Sequence, residues 1–149
     1  MKVKIRKTTG GVQLPKRMTD GAAGYDVVLQ KPVSLRIHET KLIPLGFMVE
    51  IPKGYYMTIV PRSSLAKKGI TVANSPATID EDYRGEVCVL LVSTYSNAYL
   101  EEGDRVAQII LKKYETIEWE EVDTQEALSS TERNYGGFGS TGEGWADDS

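Results

Sequence analysis

The sequence has only one cysteine and one histidine among its 149 residues. A single cysteine excludes an internal disulfide framework and is typical of a reducing compartment. One cysteine and one histidine cannot supply a zinc site of the usual kind, and nothing marks a serine to complete a Ser-His-Asp triad. Because Cys88 stands inside "VCVLLV", it is predicted to be a buried strand residue rather than a nucleophile.

Long apolar runs are also missing. The longest, around residues 87–92, is far short of the ~20 residues that a membrane-spanning helix needs. The N-terminal "MKVKIRKTTGG" has no apolar core of the kind that a secretion signal carries. We therefore expect no membrane partner and no secretion. The expected location is cytoplasmic, or intracellular in the host if the source is viral.

Positive charge is nowhere concentrated. Lysine and arginine number 18 against 21 aspartates and glutamates, and the formal net charge is −3. A duplex-binding surface needs a basic patch or stripe, so no nucleic-acid partner is expected. An anionic ligand would have to find its positive partners locally.

Alternation of apolar and polar residues is what the chain does have. "KVKIRK", "VSLRI", "FMVEI" and "TIEWEE" alternate, which predicts half-buried strands. "VCVLLV" and "VAQIIL" are nearly continuous and predict strands buried on both faces. Turn signals recur at "IPKG", "NSP", "YRGE" and "EEGD". Many short, regularly punctuated strands predict an all-β barrel or sandwich.

Helix is scarce. "RSSLAKKG" predicts roughly two turns, with Ser63 or Ser64 as N-cap and Gly69 as the end. "TQEALSSTER" is a weaker helix candidate. From about Ser129 glycine and small polar residues replace the hydrophobic pattern. This shift predicts one β domain over residues 1–128 and a flexible arm over residues 129–149.

Five segments are polar or glycine-rich where strand residues would be expected: "AAGYDV", "PRSSLAKKG", "NSPATIDEDYRGE", "GDRVAQIIL" and "RNYGGFGSTG". Taken singly and in this order, they fit structural roles: a turn, a capped surface helix, an acidic turn, a core glutamine and a tail. The alternative is that these segments bind a ligand or catalyse a reaction. Arg62 beside a helix start could hold phosphate, Asp80 could act as a general base, and Gln108 could face a ligand. Phe138 could stack on a base while Arg133 meets phosphate.

In this order and spacing the five segments resemble the five motifs of the trimeric deoxyuridine triphosphatases, over residues 22–142. The resemblance implies a jelly-roll-like distorted β-barrel with one short helix. It also implies a homotrimer with three sites at subunit interfaces. The implied reaction is Mg²⁺-dependent hydrolysis of dUTP to dUMP and pyrophosphate. That activity limits uracil incorporation into DNA and supplies dUMP for thymidylate synthesis.

The resemblance also assigns residues. Asp80 would activate the water that attacks the α-phosphorus, Tyr83 would pack beneath the deoxyribose, and Asp26 would act through Mg²⁺-bound water. The substrate-binding residues are Asn74, Ala77, Thr78 and Ile79 in a hairpin that reads uracil; Arg62, Ser63, Ser64 and Gln108 at the phosphates; and Arg133, Phe138, Gly139, Ser140 and Thr141 in the arm.

The chain departs from the family pattern at two places. Asn134 stands where the family often has glycine, and asparagine tolerates the left-handed backbone angles that such a position needs. Ser64 likewise replaces a glycine, and its backbone N–H contact is expected to survive.

Two rival interpretations remain. The dCTP deaminases are similar in fold and share "RSSLA", but Leu90 occupies the position of their catalytic glutamate and cannot shuttle a proton. The other rival is a non-catalytic regulator that binds nucleotide or a protein partner.

Overall fold

The computed structural model describes residues 1–139, so Ser140 and Thr141 lie outside the described residues. The described strands are β1 (Lys4–Lys7), β2 (Tyr25–Val28), β3 (Val33–Leu35), β4 (Thr40–Glu50), β5 (Tyr55–Pro61), β6 (Ile70–Val72), β7 (Ala77–Ile79), β8 (Glu86–Ser93), β9 (Ala98–Leu100) and β10 (Arg105–Lys113). A single α-helix, α1, covers Ser63–Ala66, and one 3-10 turn covers Gln125–Ala127. The all-β prediction is confirmed.

The strands form three antiparallel sheets. Sheet A has the order β1-β4-β8-β6, sheet B has the order β2-β10-β5-β7, and sheet C pairs β3 with β9. Sheets A and B contribute to one hydrophobic core. Phe47, Val49 and Ile51 are all buried in it, as their spacing of two predicts. The opposite face of sheet B carries Asp26, Thr58 and Gln108.

Strand β8 is not buried on both faces as predicted. Its residues alternate, with Val87, Val89 and Leu91 in the core and the intervening side chains half-buried on the outer face. Cys88 lies on that outer face and is half-buried rather than fully buried. Burial, with a contribution from the Glu86 carboxylate, raises the pKa of the Cys88 thiol. A protonated thiol is a poor nucleophile, in agreement with the prediction that Cys88 is not catalytic.

The predicted helix is shorter than expected. Helix α1 makes a single turn, and its N-cap is Arg62 rather than a serine, with extended backbone angles and no side-chain capping bond. Gly69 ends the following turn with a φ of +86° and donates its N–H to the carbonyl of Ala66. A side chain is strained at this φ, so glycine ends the segment as predicted. The second candidate forms only the 3-10 turn.

The predicted hairpin at residues 77–80 is absent. Strand β6 pairs with β8 in sheet A, whereas β7 pairs with β5 in sheet B. The chain thus crosses from one sheet to the other between Val72 and Ala77. Turn signals show where a chain changes direction but not which strand it joins afterwards.

The segment "TIEWEE" is not a strand. Ile117 is 66% exposed and Trp119 is 84% exposed, and no described strand pairs with this segment. Alternation predicts a strand only where a partner edge is present. The chain separates here into two compact units. The first is Met1–Glu115, which contains all the described strands, and the second begins at Thr116. Within residues 1–139, no helix has the length and apolarity needed to span a bilayer.

Candidate active site

Asp26 is a buried acidic residue of the predicted site. It lies in β2 and is 8% exposed, with Oδ1 3.8 Å from Nε of Arg62 and Oδ2 3.4 Å from Nη1 of Arg105. Arg62 follows the last residue of β5, and its Nη1 donates a hydrogen bond of 3.1 Å to the Arg105 carbonyl. One buried carboxylate is therefore shared by two guanidinium groups, which leaves a net positive charge at this end of sheet B.

Gln108 lies beside this cluster. In β10 it is paired with Asp26 of β2 on one side and with Val60 of β5 on the other, so the three side chains share a face of sheet B. A Cβ on Gly24 would lie 2.4 Å from Oε1 of Gln108. Gly24 is therefore the residue that makes room for the glutamine amide.

Ser63 and Ser64 are exposed and follow Arg62 directly in the first turn of α1. The hydrogen bonds of this turn are donated from Leu65 onward. The N–H groups of the two serines thus precede the hydrogen-bonded part of the helix.

Asp80 stands in a separate cavity of about 500 Å³. The side chains that line this cavity are Tyr56, Thr78, Asp80, Glu81, Asp82 and Tyr114. Asp80 follows Ile79, which is paired with Met57, and its register position is therefore opposite Tyr56 on β5. Thr78 is paired with Thr58, so Thr78 and Asp80 share the face of sheet B that carries Gln108.

Strand β7 is one of the two edge strands of sheet B in the described chain. An edge strand leaves alternate N–H and C=O groups without partners, and these can bind a planar polar ligand. The side chain of Ile79 is buried, whereas Thr78 is exposed and Ala77 is half-buried. Asn74 is exposed in the turn that precedes β7. Ile79 can therefore face a ligand only through its backbone, because its side chain is buried.

Tyr83 is held against the chain that follows it. Its hydroxyl donates a hydrogen bond of 2.7 Å to the carbonyl of Glu86. A Cβ on Gly85 would lie 2.5 Å from the Tyr83 hydroxyl oxygen and 2.6 Å from Cζ. The ring thus lies directly over the glycine, and about half of it, 44%, remains exposed.

Asp80 and the arginine cluster lie at opposite corners of the same sheet face. Arg62 follows the end of β5, and Asp80 lies opposite its second residue, Tyr56. Six residues of extended strand separate these two positions, which is about 20 Å. The structure therefore brings Asp26, Arg62 and Gln108 together but leaves Asp80 apart.

The described arm residues belong to the second unit. Thr131 and Asn134 exchange two hydrogen bonds of 2.9 Å, and the left-handed angle predicted to be tolerated at Asn134 is present, with a φ of 49°. Nε of Arg133 donates to the carbonyl of Gly136 at 2.8 Å. Phe138 is fully exposed, and both it and Gly139 have positive φ.

Three residues of the site were missed by sequence reasoning. Arg105 belongs to the quoted segment "GDRVAQIIL", and its place three residues before Gln108 was the available signal. Glu81 and Tyr114 line the cavity of Asp80 and are hydrogen-bonded to each other. Their sequence separation of 33 residues hides this contact from any local pattern.

The fold and these residues define an all-β protein with two arginines gathered around a buried aspartate at one end of sheet B. The dUTPase family model matches residues 11–142. The deoxyuridine 5'-triphosphate nucleotidohydrolase of Rickettsia bellii is 44% identical over 145 residues, which cover 94% of this chain and 95% of that relative. The chain belongs to the dUTPase family, a family of nucleotide hydrolases.

Solved structures agree in fold. The dUTPase of Staphylococcus bacteriophage 80alpha with dUpNHpp has a TM-score of 0.84 at 23% identity, covering 95% of this chain and 99% of that chain. A variant of the phage phi11 dUTPase of S. aureus, described as revealing the coordination of a structural Mg(II) ion, has a TM-score of 0.76 at 21% identity. It covers 85% of this chain and 99% of that chain. The predicted jelly-roll-like barrel is thereby confirmed.

Proposed function

We propose that this chain hydrolyses dUTP to dUMP and pyrophosphate with Mg²⁺, in sites shared between the subunits of a homotrimer. Membership of the dUTPase family supports the substrate and the reaction. The observation that carries the shared site is the separation of Asp80 from the arginine cluster along β5. A catalytic carboxylate so far from the phosphate-binding groups of its own chain needs those groups from another copy.

The phosphate end of the site is the cluster around Arg62. Its guanidinium, the Gln108 amide and the hydroxyl and N–H groups of Ser63 and Ser64 would hold the phosphate oxygens. Arg105 would contribute a second cation and keep Asp26 in place. Charge develops on the leaving pyrophosphate as the bond to the α-phosphorus breaks, so positive groups already in position lower the barrier.

Asp26 suits indirect contact with Mg²⁺. Its two oxygens are already shared with two guanidinium groups, and the described residues contain no group of three or more acidic, histidine or cysteine side chains able to hold a metal. Mg²⁺ keeps several waters and is commonly bound through substrate phosphates. Asp26 would accept hydrogen bonds from such waters. The bound ion would supply charge neutralisation on the phosphates.

Uracil would lie against the free edge of β7. The backbone from Ala77 to Asp80, with the amide of Asn74, would hydrogen-bond the pairing edge of the base. A wrong base would leave these groups unpaired, which gives strong discrimination. Tyr83 would pack beneath the deoxyribose and exclude a 2′-hydroxyl, because its ring is fixed by the bond to Glu86.

Asp80 would act as general base. Its carboxylate accepts a proton from water while the water oxygen forms a bond to the α-phosphorus, and the bond from that phosphorus to the bridging oxygen breaks to release pyrophosphate. Asp80 lies in a cavity of about 500 Å³, which leaves room for water beside a bound nucleotide.

An apolar outer surface supports assembly of several copies. On sheet A, Leu42 is paired with Leu90 and is 68% exposed, while Cys88, Leu90 and Val92 are half-buried beside it. A solvent-facing side of a β-sheet usually carries polar residues. Burial of this face by another copy would account for the near-continuous apolar sequence of β8.

The arm, residues 129–149, would close the site. Phe138 is exposed and available to stack on uracil, and Arg133 would turn from Gly136 to phosphate. Gly139, Ser140 and Thr141 would add backbone and hydroxyl contacts. The glycines let the backbone bend around the nucleotide.

Pyrophosphate release from dUTP in the presence of Mg²⁺ tests the proposal. We expect turnover by the wild type, loss of turnover on chelation with EDTA, and a loss of at least about 1,000-fold in kcat for Asp80→Asn with nucleotide binding retained. Ammonia release from dCTP, dUTP binding without turnover, or an Asp80→Asn rate equal to the wild type would overturn it.

A further inference from the structure

Glu81 follows Asp80 and joins its loop to the start of β5 and the end of β10, which lie side by side at one end of sheet B. Oε1 of Glu81 accepts hydrogen bonds from the backbone N–H of Gly54 and from the Tyr114 hydroxyl, the latter at 2.9 Å. Gly54 lies in the turn between β4 and β5, and Tyr114 follows the end of β10. One carboxylate therefore fastens the Asp80 loop to two neighbouring strands, β5 and β10, at the same end of sheet B.

The loop itself is a closed turn. The N–H of Tyr83 donates to the carbonyl of Asp80 at 3.1 Å. Nη1 of Arg84 donates to the carbonyls of Glu81 and Tyr83, at 2.7 and 3.1 Å. Residues 80–83 thus form a small unit held by its own backbone. Strand β7 connects this unit to β5 on one side, and the Glu81 side chain adds a second attachment to the sheet.

The contact of Glu81 with Gly54 and Tyr114, called the clamp below, has a charge state suited to neutral pH. The hydrogen bond from Gly54, and next that from Tyr114, lowers the pKa of Glu81, and the same contact with Glu81 raises the pKa of Tyr114. A carboxyl group whose pKa is lower in the folded state stabilises that state at pH values above its ordinary pKa. This stabilisation is lost as the pH falls through the lowered pKa. Both partners therefore keep their bonding forms around pH 7.

A general base must lie within hydrogen-bond reach of its water, and a shift of about 1 Å can cost about 100-fold in rate. We propose that Glu81, clamped by Gly54 and Tyr114, is a positioning residue that sets the direction of the Asp80 carboxylate. This inference rests on the proposed function. Glu81 acts through Asp80, because its Oε1 is engaged by Gly54 and Tyr114.

Steady-state dUTP hydrolysis with Mg²⁺ tests the clamp. Glu81→Ala removes the acceptor, and we expect kcat to fall about 10- to 100-fold while KM changes less than about threefold. Glu81→Gln keeps an oxygen that accepts both bonds and is expected to stay within about fivefold of wild-type kcat. Tyr114→Phe removes one donor and should lose about 3- to 10-fold. Glu102→Ala, in the exposed turn between β9 and β10, makes the same charge change as a control.

Calorimetric binding of dUpNHpp to the same variants separates positioning from loss of the site. We expect the affinity of Glu81→Ala for this analogue to match the wild type within about threefold, since its phosphate-binding groups lie elsewhere. Should that variant fail to fold, Tyr114→Phe carries the test. The inference is wrong if both variants keep wild-type kcat, or if kcat and analogue affinity fall together. An inactive wild type or a fully active Asp80→Asn instead overturns the proposed function, so the two failures can be distinguished.

Discussion

At the scale of single residues, Gly85 controls the position of Tyr83. Gly85→Ala would place a methyl group 2.5 Å from the tyrosine hydroxyl oxygen and 2.6 Å from Cζ, so the ring must move and its bond to the Glu86 carbonyl must break. If the ring excludes the 2′-hydroxyl, we expect the ratio of kcat/KM for dUTP over UTP to fall about 10-fold or more. Parallel kinetics with the two nucleotides measure it.

Gly10→Ala is the matched control for this change. Nothing lies within 4 Å of a Cβ at Gly10, and its φ lies outside the left-handed range. We expect this variant to keep wild-type discrimination. Unchanged discrimination in Gly85→Ala, with Tyr83→Phe also unchanged, would show that the ring does not face the sugar.

At the scale of elements, the sequence predicted what depends on local pattern. Alternation located most strands because side chains in a strand point to opposite faces in turn, and the burial of Phe47, Val49 and Ile51 follows directly. Which strands pair with each other could not be predicted from this alternation. The hairpin at residues 77–80 and the strand at Trp119 were predicted from segments that look complete by themselves. Whether a partner edge exists depends on residues far away in the chain.

The candidate site likewise contains residues that local sequence indicates and contacts that it does not. The quoted segments contain Asp26, Arg62, Asp80 and Gln108 because each segment needs unusual residues among strand residues. The contact between Glu81 and Tyr114 joins residues 33 positions apart, and no local spacing indicates it. Arg105 was not predicted as a site residue because a charged residue at the start of a strand is usually exposed to solvent.

The arm is the element whose role can be tested by removal. Truncation before Arg133 removes the predicted stacking and phosphate contacts but leaves every described strand intact. Ordering the arm costs roughly 1–2 kcal/mol per residue fixed, and nucleotide contacts must offset this cost. We expect the truncated chain to keep its oligomeric state by light scattering and to lose at least about 100-fold in dUTP turnover. Deletion of residues 145–149 alone is the control, and full activity after truncation would contradict a closing role.

At the scale of the whole molecule, the proposed function makes a single copy incomplete, because its two halves lie far apart on sheet B. The arginine cluster and Asp80 occupy opposite corners, separated by most of the length of β5. Closed rotational symmetry lets each copy present its Asp80 corner to the arginine corner of the next, so that a trimer has three equivalent sites. The half-buried apolar side of sheet A offers surface for such contacts.

Mixing two inactive variants tests this arrangement directly. Asp80→Asn keeps the arginine corner, and Arg62→Ala keeps the catalytic corner, so each variant alone is expected to be inactive. When equal amounts are unfolded and refolded together, random assembly gives about one quarter of the sites an intact corner from each of two chains. Turnover should therefore recover to about a quarter of the wild-type rate, measured as pyrophosphate release. If Asp80 and Arg62 served one site within the same chain, no mixed site would be intact, and the mixture would stay inactive.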